Sequence, residues 1–435
     1  MREKKYFAKD SYGKQEITLR EAKKGLYFIY KNGTFDTCFQ GSSFDQTFQN
    51  YCHRYYLTPI STLTPNSPLN NSNSNNTPKN NWMNMAQNTT AEKEIKVYDA
   101  SGNPLELGEK DEKASGGEGT IYNFAPNPNY LIKIYKPSIL NNPQKMKEIT
   151  NRLRDMSKIK ALQSFDFLAW PKMVVYNQER QIIGFLMKKC EGNSLLSLRG
   201  PSNIKKLNPN WTRIDLVKIA IDYVQKVQEL AKYNVYVNDF NPSNVLFDEN
   251  GKVFFIDCDS FQIPTKDGGV NITKTYFASH VAPELLRNKS LLNQPRNIHH
   301  VEFGVALTVF QILMCGLHPY NYYDPTRKTA CGTPDENLIL GRCPLGNGSD
   351  CRFPIGNWYN LWSYFTWSLK NCFIKTFRKD EGHSNPNMRV SLEELEDELN
   401  KFLQTCYKDF NRQDLNPSVP KPKTDMRNSQ NSEIL

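Results

Sequence analysis

Val237–Phe247 reads VNDFNPSNVLF, and after the turn residues DENG (248–251) the chain continues as KVFFID, Lys252–Asp257. VLF and KVFFID are short apolar runs about an Asp/Asn/Gly turn, the pattern of a β-hairpin. In such a hairpin Asn244 enters the first strand and Asp257 leaves the second, so both stand at the same end. Asp239, five residues before Asn244, is on the loop that leads in. Asn, Asp and Ser are common turn residues, and this loop by itself reads as an Asx-rich turn. The hairpin changes that reading, because a carboxylate leaving a buried strand end is costly unless a cation meets it. Bound Mg²⁺ would serve, as would an Arg or Lys. Asp239 then becomes a candidate to orient or deprotonate a hydroxyl, and Asn244 and Asp257 become candidate metal ligands.

Upstream, KVYDASGNPLEL, TIYNF, YLIKIY, WPKMVVY and IIGFLM, all within residues 94–189, read as strands parted by Pro, Asn and Gly. One helix interrupts them. In PQKMKEITNRLRDM, Met146, Ile149, Leu153 and Met156 recur at spacings of three and four and so share a face. From Trp211 the pattern is helical, with Ile214, Val217, Ile221, Val224 and Val227 in one stripe. Beyond the hairpin, Phe303–Leu317 is apolar all round; at 15 residues it falls short of the ~20 that cross a bilayer and reads as a buried core helix. WYNLWSYFTWSLKNCFIKTF and SLEELEDELNKFLQTC read as further helices, the second with Ser391 as N-cap. A small β-rich part followed by a large helical part predicts an α+β, two-lobed fold.

The flanks differ in composition. Residues 58–92 are dominated by Asn, Ser, Thr and Pro, cannot bury enough apolar surface to offset chain entropy, and read as a disordered linker. Residues 1–57 form a small segment of unknown role, in which GLYFIY and TFDTCF suggest two strands about Asn32-Gly33. Residues 409–435 read as a disordered tail. The 435 residues carry a net charge of +10 and a mean hydropathy of −0.64, fitting a soluble protein with an anionic ligand or a solvated basic surface. Met1–Asp10 is charged and has no apolar export segment, so the ten cysteines are expected to be reduced thiols in a cytoplasmic protein. Cys331, Cys343 and Cys351 cluster, but without a CxxC pair. No nucleic-acid or membrane partner is expected.

Asp239 with Asn244, then Asp257 after a hairpin, resembles the protein-kinase signature of His-Arg-Asp with an Asn five residues on, followed by Asp-Phe-Gly. ASGGEGTIY resembles the glycine-rich loop, with Gly116 and Gly119 in glycine places, Gly117 extra, and Ile121 where the family covers the adenine. LIKIY places Lys133 as the phosphate-binding lysine, twelve residues after Ile121. Glu148, fifteen residues further and on the amphipathic helix, is its expected partner. GFLMKKCEGNSL resembles the hinge, with Met187 as gatekeeper and Lys188 to Cys190 facing the adenine. Ala282-Pro283-Glu284 resembles the end of the activation segment, and Arg389 stands where the family pairs an arginine with that glutamate. GGEGTIY, IKIYKP, NDFNPSNVLF, IDCDSFQI and GTPDENLILGRCPLG narrow the resemblance to bacterial helix-hairpin-helix-associated and tellurite-resistance "phosphorylation triad" kinases, over about Glu94–Tyr407.

The resemblance implies a protein-kinase-like domain over 93–408 with a small N-terminal extension, using ATP with Mg²⁺, or Mn²⁺ in its place, to phosphorylate a protein hydroxyl, most simply of Ser or Thr. It implies as partners a metal-dependent protein phosphatase and a von Willebrand factor A-type protein. Val237-Asn238 replace His-Arg, Asn241 replaces a phosphate-contacting lysine, Cys258-Asp259 replace Phe-Gly, and Val301 replaces an Asp that braces the catalytic loop. Asp259 is thereby a further candidate to face a metal. A nucleotide-binding pseudokinase scaffold and a small-molecule phosphotransferase are the alternatives.

Overall fold

A computed structural model describes the chain except for residues 1–2, 11–12, 24–25, 32–33, 41–42, 46, 49–57, 61–95, 111–117, 266, 274, 325–328, 331, 347–350 and 423–435. The chain divides into two compact units, Met1–Glu94 and Ile95–Leu435.

The first unit is a five-stranded antiparallel sheet in the order β4-β3-β2-β1-β5. Its strands are β1 (Glu3–Asp10), β2 (Gly13–Lys23), β3 (Leu26–Lys31), β4 (Thr34–Gln40) and β5 (Thr58–Ile60). The expected pairing of GLYFIY with TFDTCF is formed by β3 and β4, while the Asn32-Gly33 turn lies outside the described residues. Ile17 and Leu19 alternate on one buried face of β2, and Tyr6 stacks on Phe48 at 4.2 Å. Thr58–Ile60, expected to begin the linker, instead pairs with Phe7–Lys9 of β1. Ladder hydrogen bonds come from the backbone, so composition did not reveal them. The rest of the expected linker lies outside the described residues.

In the second unit seven antiparallel strands run in the order β7-β6-β11-β12-β10-β9-β8. They are β6 (Val97–Tyr98), β7 (Pro104–Leu105), β8 (Leu107–Lys110), β9 (Gly119–Phe124), β10 (Tyr130–Tyr135), β11 (Pro171–Tyr176) and β12 (Ile182–Lys188). Strand alternation sorts β10 into two faces: Ile132 and Ile134 pack with Val97, Val175 and Ile183, while Leu131 and Tyr135 join the main core with Ile121, Phe185 and Met187. Lys133 falls on this second face. Helix α1 (Pro143–Met156) buries Leu153 and Met156 against the same core, with Asn142 capping its first turn.

The helical part is built on α2 (Arg213–Ala231), α3 (Pro283–Arg287), α4 (Ile298–Leu313), α5 (Trp358–Ser363), α6 (Trp367–Phe377) and α7 (Leu392–Lys408). The run 303–317 expected as a buried helix is helical as far as Leu313; α4 starts five residues before it, at Ile298, is buried on nearly every side and is opened by a reciprocal Asn297–His300 cap. Ser391 caps α7, accepting from Glu394 N at 3.1 Å. Among the described residues no helix is long and apolar enough to cross a membrane.

The start of the expected disordered tail is packed as far as Pro417. Leu415 is buried, Arg412 donates to Tyr364 O at 2.6 Å, and Arg213 donates to Asp414 O at 2.8 Å. Two buried guanidinium groups and one leucine anchor a segment whose composition alone reads as loop.

Candidate active site

The hairpin forms as the sequence requires: β13 (Val245–Phe247) pairs with β14 (Val253–Phe255), and Gly251 (φ 80°) completes the turn. Asp248 Oδ1 accepts from Asn250 N and Lys252 N and closes that turn. At the opposite end Ile256 N donates to Asn244 O at 2.9 Å, so Asn244 and Asp257 are held together. Asn241 caps the single turn Pro242–Asn244, and Asn244 Nδ2 lies 3.5 Å from Asp239 Oδ2. Asp257 has left-handed backbone (φ 57°, ψ 37°), a conformation Asp tolerates better than most residues and one enriched at functional positions.

Asp239 is half-buried, and its Oδ1 is buried with no hydrogen-bond partner. Burial, with the neighbouring Asp257 charge, pushes its carboxyl up to about 6. An orphaned carboxylate oxygen is costly unless a proton, cation or hydroxyl meets it.

Lys133, 6 % exposed, crosses from β10 to this cluster. Its Nζ donates to Asp257 Oδ1 at 2.6 Å and to both oxygens of Asp259 at 2.9 Å. Tyr135, two residues on and on the same face, donates its hydroxyl to Asp259 Oδ2 at 3.0 Å. Burial alone would neutralise Lys133, but the two carboxylates outweigh it and hold the amine more firmly protonated than usual. Burial likewise opposes the Asp259 charge, and Lys133 and Tyr135 overcome it to keep that group ionised.

The remaining predicted residues differ in their placement. Ile121 pairs with Lys133 across β9 and β10, Met187 pairs with Leu131 on β12, and both are buried on the Lys133 face. A Cβ at Gly119 would stand 3.0 Å from Ile134 O and 3.1 Å from Lys133 Cγ, so glycine lets β9 press against the lysine stem. Lys188 ends β12, and Cys190 beyond it is half-buried with its thiol pushed up to about 11 by burial. Gly116 and Gly117 lie outside the described residues. Glu148 does not meet Lys133: it is exposed on α1 and accepts from Gln144 Nε2 at 2.9 Å. The lysine's three donors go instead to Asp257 and Asp259.

Two departures from the kinase pattern, Asn238 in the loop and Val301 on α4, have structural counterparts. Asn238, in the arginine place, is buried and donates through Nδ2 to Thr273 O, Thr273 Oγ1 and Thr275 O at 3.0, 2.9 and 2.7 Å. It ties the loop directly to the segment after the hairpin. Val301 supplies no carboxylate to brace the loop. Instead the Phe240 ring presses on α4 at Gly304, where a Cβ would come within 2.5 Å of it. The expected Glu284–Arg389 pair is formed, bidentate at 2.9 and 2.7 Å, and the buried guanidinium also donates to His299 O and Gly382 O. Sequence reasoning missed Tyr135 and Arg152. For Tyr135 the period-two spacing from Lys133 was the available signal; for Arg152 there was none.

Asn244 and Asp257 carry a neutral and an anionic oxygen, donor types that would fit Mg²⁺ with phosphates and waters completing its shell, and Asp239 Oδ2 is 3.5 Å from Asn244 Nδ2. Among the described residues no group of three or more His, Cys, Asp or Glu is placed as an all-protein metal cage; Cys343 is buried, and Cys331 lies outside the described residues.

No family model matches the chain. Over 229 residues it is 27 % identical to the protein kinase YegI of Escherichia coli (strain K12), a match covering 52 % of this chain and 34 % of that protein. The chain is similar to bacterial proteins named protein kinase. The YegI of Escherichia coli O157:H7 is 26 % identical over 227 residues. The likeness supports a bacterial protein-kinase-like family, and the chain spans about a third of the length of these curated relatives.

Proposed function

We propose that the second unit is a two-lobed protein kinase that transfers the γ-phosphoryl group of ATP to a protein hydroxyl, most simply of Ser or Thr, in the cytoplasm. The observation that carries this reading is the convergence of Lys133, Asp257, Asn244 and Asp239 from a strand, a hairpin end and a loop onto one cluster. Phosphoryl transfer asks for little covalent chemistry and much positioned charge, which is what these residues offer.

In this reading Lys133 holds nucleotide phosphate oxygens, and Asn244 and Asp257 hold Mg²⁺, which would neutralise phosphate charge. Asp239 accepts the hydrogen bond of the acceptor hydroxyl and orients its oxygen for in-line attack; its raised affinity for a proton suits a group that takes one. Ile121 and Met187 border the adenine, with backbone groups of Lys188 to Cys190 beside it. Gly116, Gly117 and Gly119 cover the phosphates.

The test is intact-mass analysis after incubation with ATP and Mg²⁺ or Mn²⁺, alone and with a generic protein substrate. Mass increments of one phosphate in the wild type, absent in Asp239→Asn and Asp257→Asn, support the reading. No increment under any of these conditions, with nucleotide still bound, would leave the scaffold reading in its place. Increments on a small hydroxylated compound but on no protein would favour the small-molecule transferase. The phosphatase and von Willebrand factor A-type partners belong among the substrates tried.

A further inference from the structure

We infer that Asp259, and not Glu148, is the standing partner that orients Lys133, and that helix α1 is fastened to the site through Arg152. This rests on the reading of Lys133 as the phosphate-binding lysine.

Lys133 has three N–H donors, and Asp259 takes both of its 2.9 Å contacts. The two carboxylates differ in setting. Asp257 has a side chain 42 % exposed, on a left-handed residue at the mouth of the hairpin. The Asp259 side chain is 6 % exposed and fixed from a second side by the Tyr135 hydroxyl. Asp257 can therefore turn towards a metal ion while Asp259 stays on the lysine. A buried ammonium that lost both partners would be strongly destabilised, so one of them has to be permanent.

Helix α1 leaves Glu148 no part in this. Gln144, Glu148 and Arg152 are spaced four residues apart and share one stripe of the helix. Arg152 is the buried member: Nη1 donates to Phe261 O and Nη2 to Asn271 Oδ1, both at 2.6 Å. Leu153 and Met156 are fully buried beside it. With the helix pinned there, Glu148 lies one turn away, about 6 Å along the axis, on the solvent side. Arg152 also adds a positive charge that feels Asp259. Lys133, Arg152, Asp257 and Asp259 together are neutral. When Asp257 turns to a metal, Asp259 stays with Lys133 and Arg152, while Asp239 and Glu118 add negative charge nearby.

The experiment compares Asp259→Asn, Tyr135→Phe and Glu148→Gln in the full chain. One readout is acetylation of Lys133 by acetic anhydride without nucleotide, followed by peptide mass spectrometry; the other is the KM for ATP against kcat. Asp259→Asn frees the amine and raises its labelling about tenfold or more, with a rise in KM on the order of tenfold and a fall in kcat. Tyr135→Phe, the milder change should Asp259→Asn not fold, moves both readouts the same way by a few-fold. Glu148→Gln leaves labelling within about twofold. A merely structural role for Asp259 would lower the active fraction, hence kcat, and leave KM unchanged, and that result overturns the inference. So does labelling that rises in Glu148→Gln as much as in Asp259→Asn. If labelling follows expectation and the wild type transfers no phosphate, the kinase reading fails and the assignment of the lysine's partner stands.

Discussion

Gly184→Ala is a one-carbon change that should reach the Lys133 site through the backbone. Gly184 is in the middle of β12, opposite Ile134 of β10 on one side and Val175 of β11 on the other. A Cβ there would lie 1.9 Å from Lys133 O, 2.9 Å from Lys133 C and 3.1 Å from Ile134 Cα. Real Cβ atoms essentially never come closer than 3.0 Å, so β10 and β12 must part by about 1 Å where they are spaced about 4.8 Å. The obstacle is backbone, so no rotamer change relieves it. Overpacking of this kind costs about 1–3 kcal/mol. The same shift carries Lys133 off contacts of 2.6 and 2.9 Å, and a displacement of ~1 Å at a reacting centre costs on the order of 100-fold in rate. Urea denaturation reads the stability, and steady-state kinetics with varied MgATP read the site. An unchanged urea midpoint together with an unchanged ATP KM would mean that the strands have room that their pairing denies.

Glu284→Ala strands the fully buried Arg389 guanidinium and should lower stability by about 3–5 kcal/mol, measured by denaturant midpoint. The double variant Glu284→Ala with Arg389→Met should recover much of that. Gly304→Ala places a Cβ within 2.5 Å of the Phe240 ring, next to Asp239; kcat should fall several-fold more than the change in unfolding midpoint explains. Acid should destabilise the fold between pH 6.5 and 4. Burial holds His318 and His383 down to about 4, so the unfolded chain binds more protons in that window and stability falls as pH falls through it. A second proton on His318 Nδ1 would lose the bond from Tyr320 N, and one on His383 Nδ1 would be a buried donor with no acceptor, so both are disfavoured. Each contributes on the order of 2 kcal/mol at pH 5, and His383→Gln should flatten the pH dependence of the urea midpoint by its share.

Much of the site was legible one residue at a time. Hairpin logic alone set Asn244 and Asp257 at one end, because antiparallel pairing through a short turn admits no other arrangement. LIKIY placed Lys133 in a strand, and the alternation that would have put Tyr135 on the same face was left unused. The Glu284–Arg389 pair followed from the family resemblance, and the two groups do meet. The reading erred where partners are chosen by packing. Glu148 had the spacing of a lysine partner, but the roll of α1 is decided by what Leu153, Met156 and Arg152 bury against. The segment after 408 had the composition of a loose tail, but Arg213 and Arg412 hold it by backbone carbonyls, which composition does not record.

The hairpin at 245–255, the strands around Lys133 and the main helices of the second unit were legible in the residues themselves, because strand and helix periods are local properties of the backbone; β1, β2 and β5 of the first unit were not. Which carboxylate meets Lys133 was settled by packing in three dimensions. That choice depends on a burial balance summed over β10, α1 and the hairpin, where a buried ammonium takes the partners that lose least by leaving water.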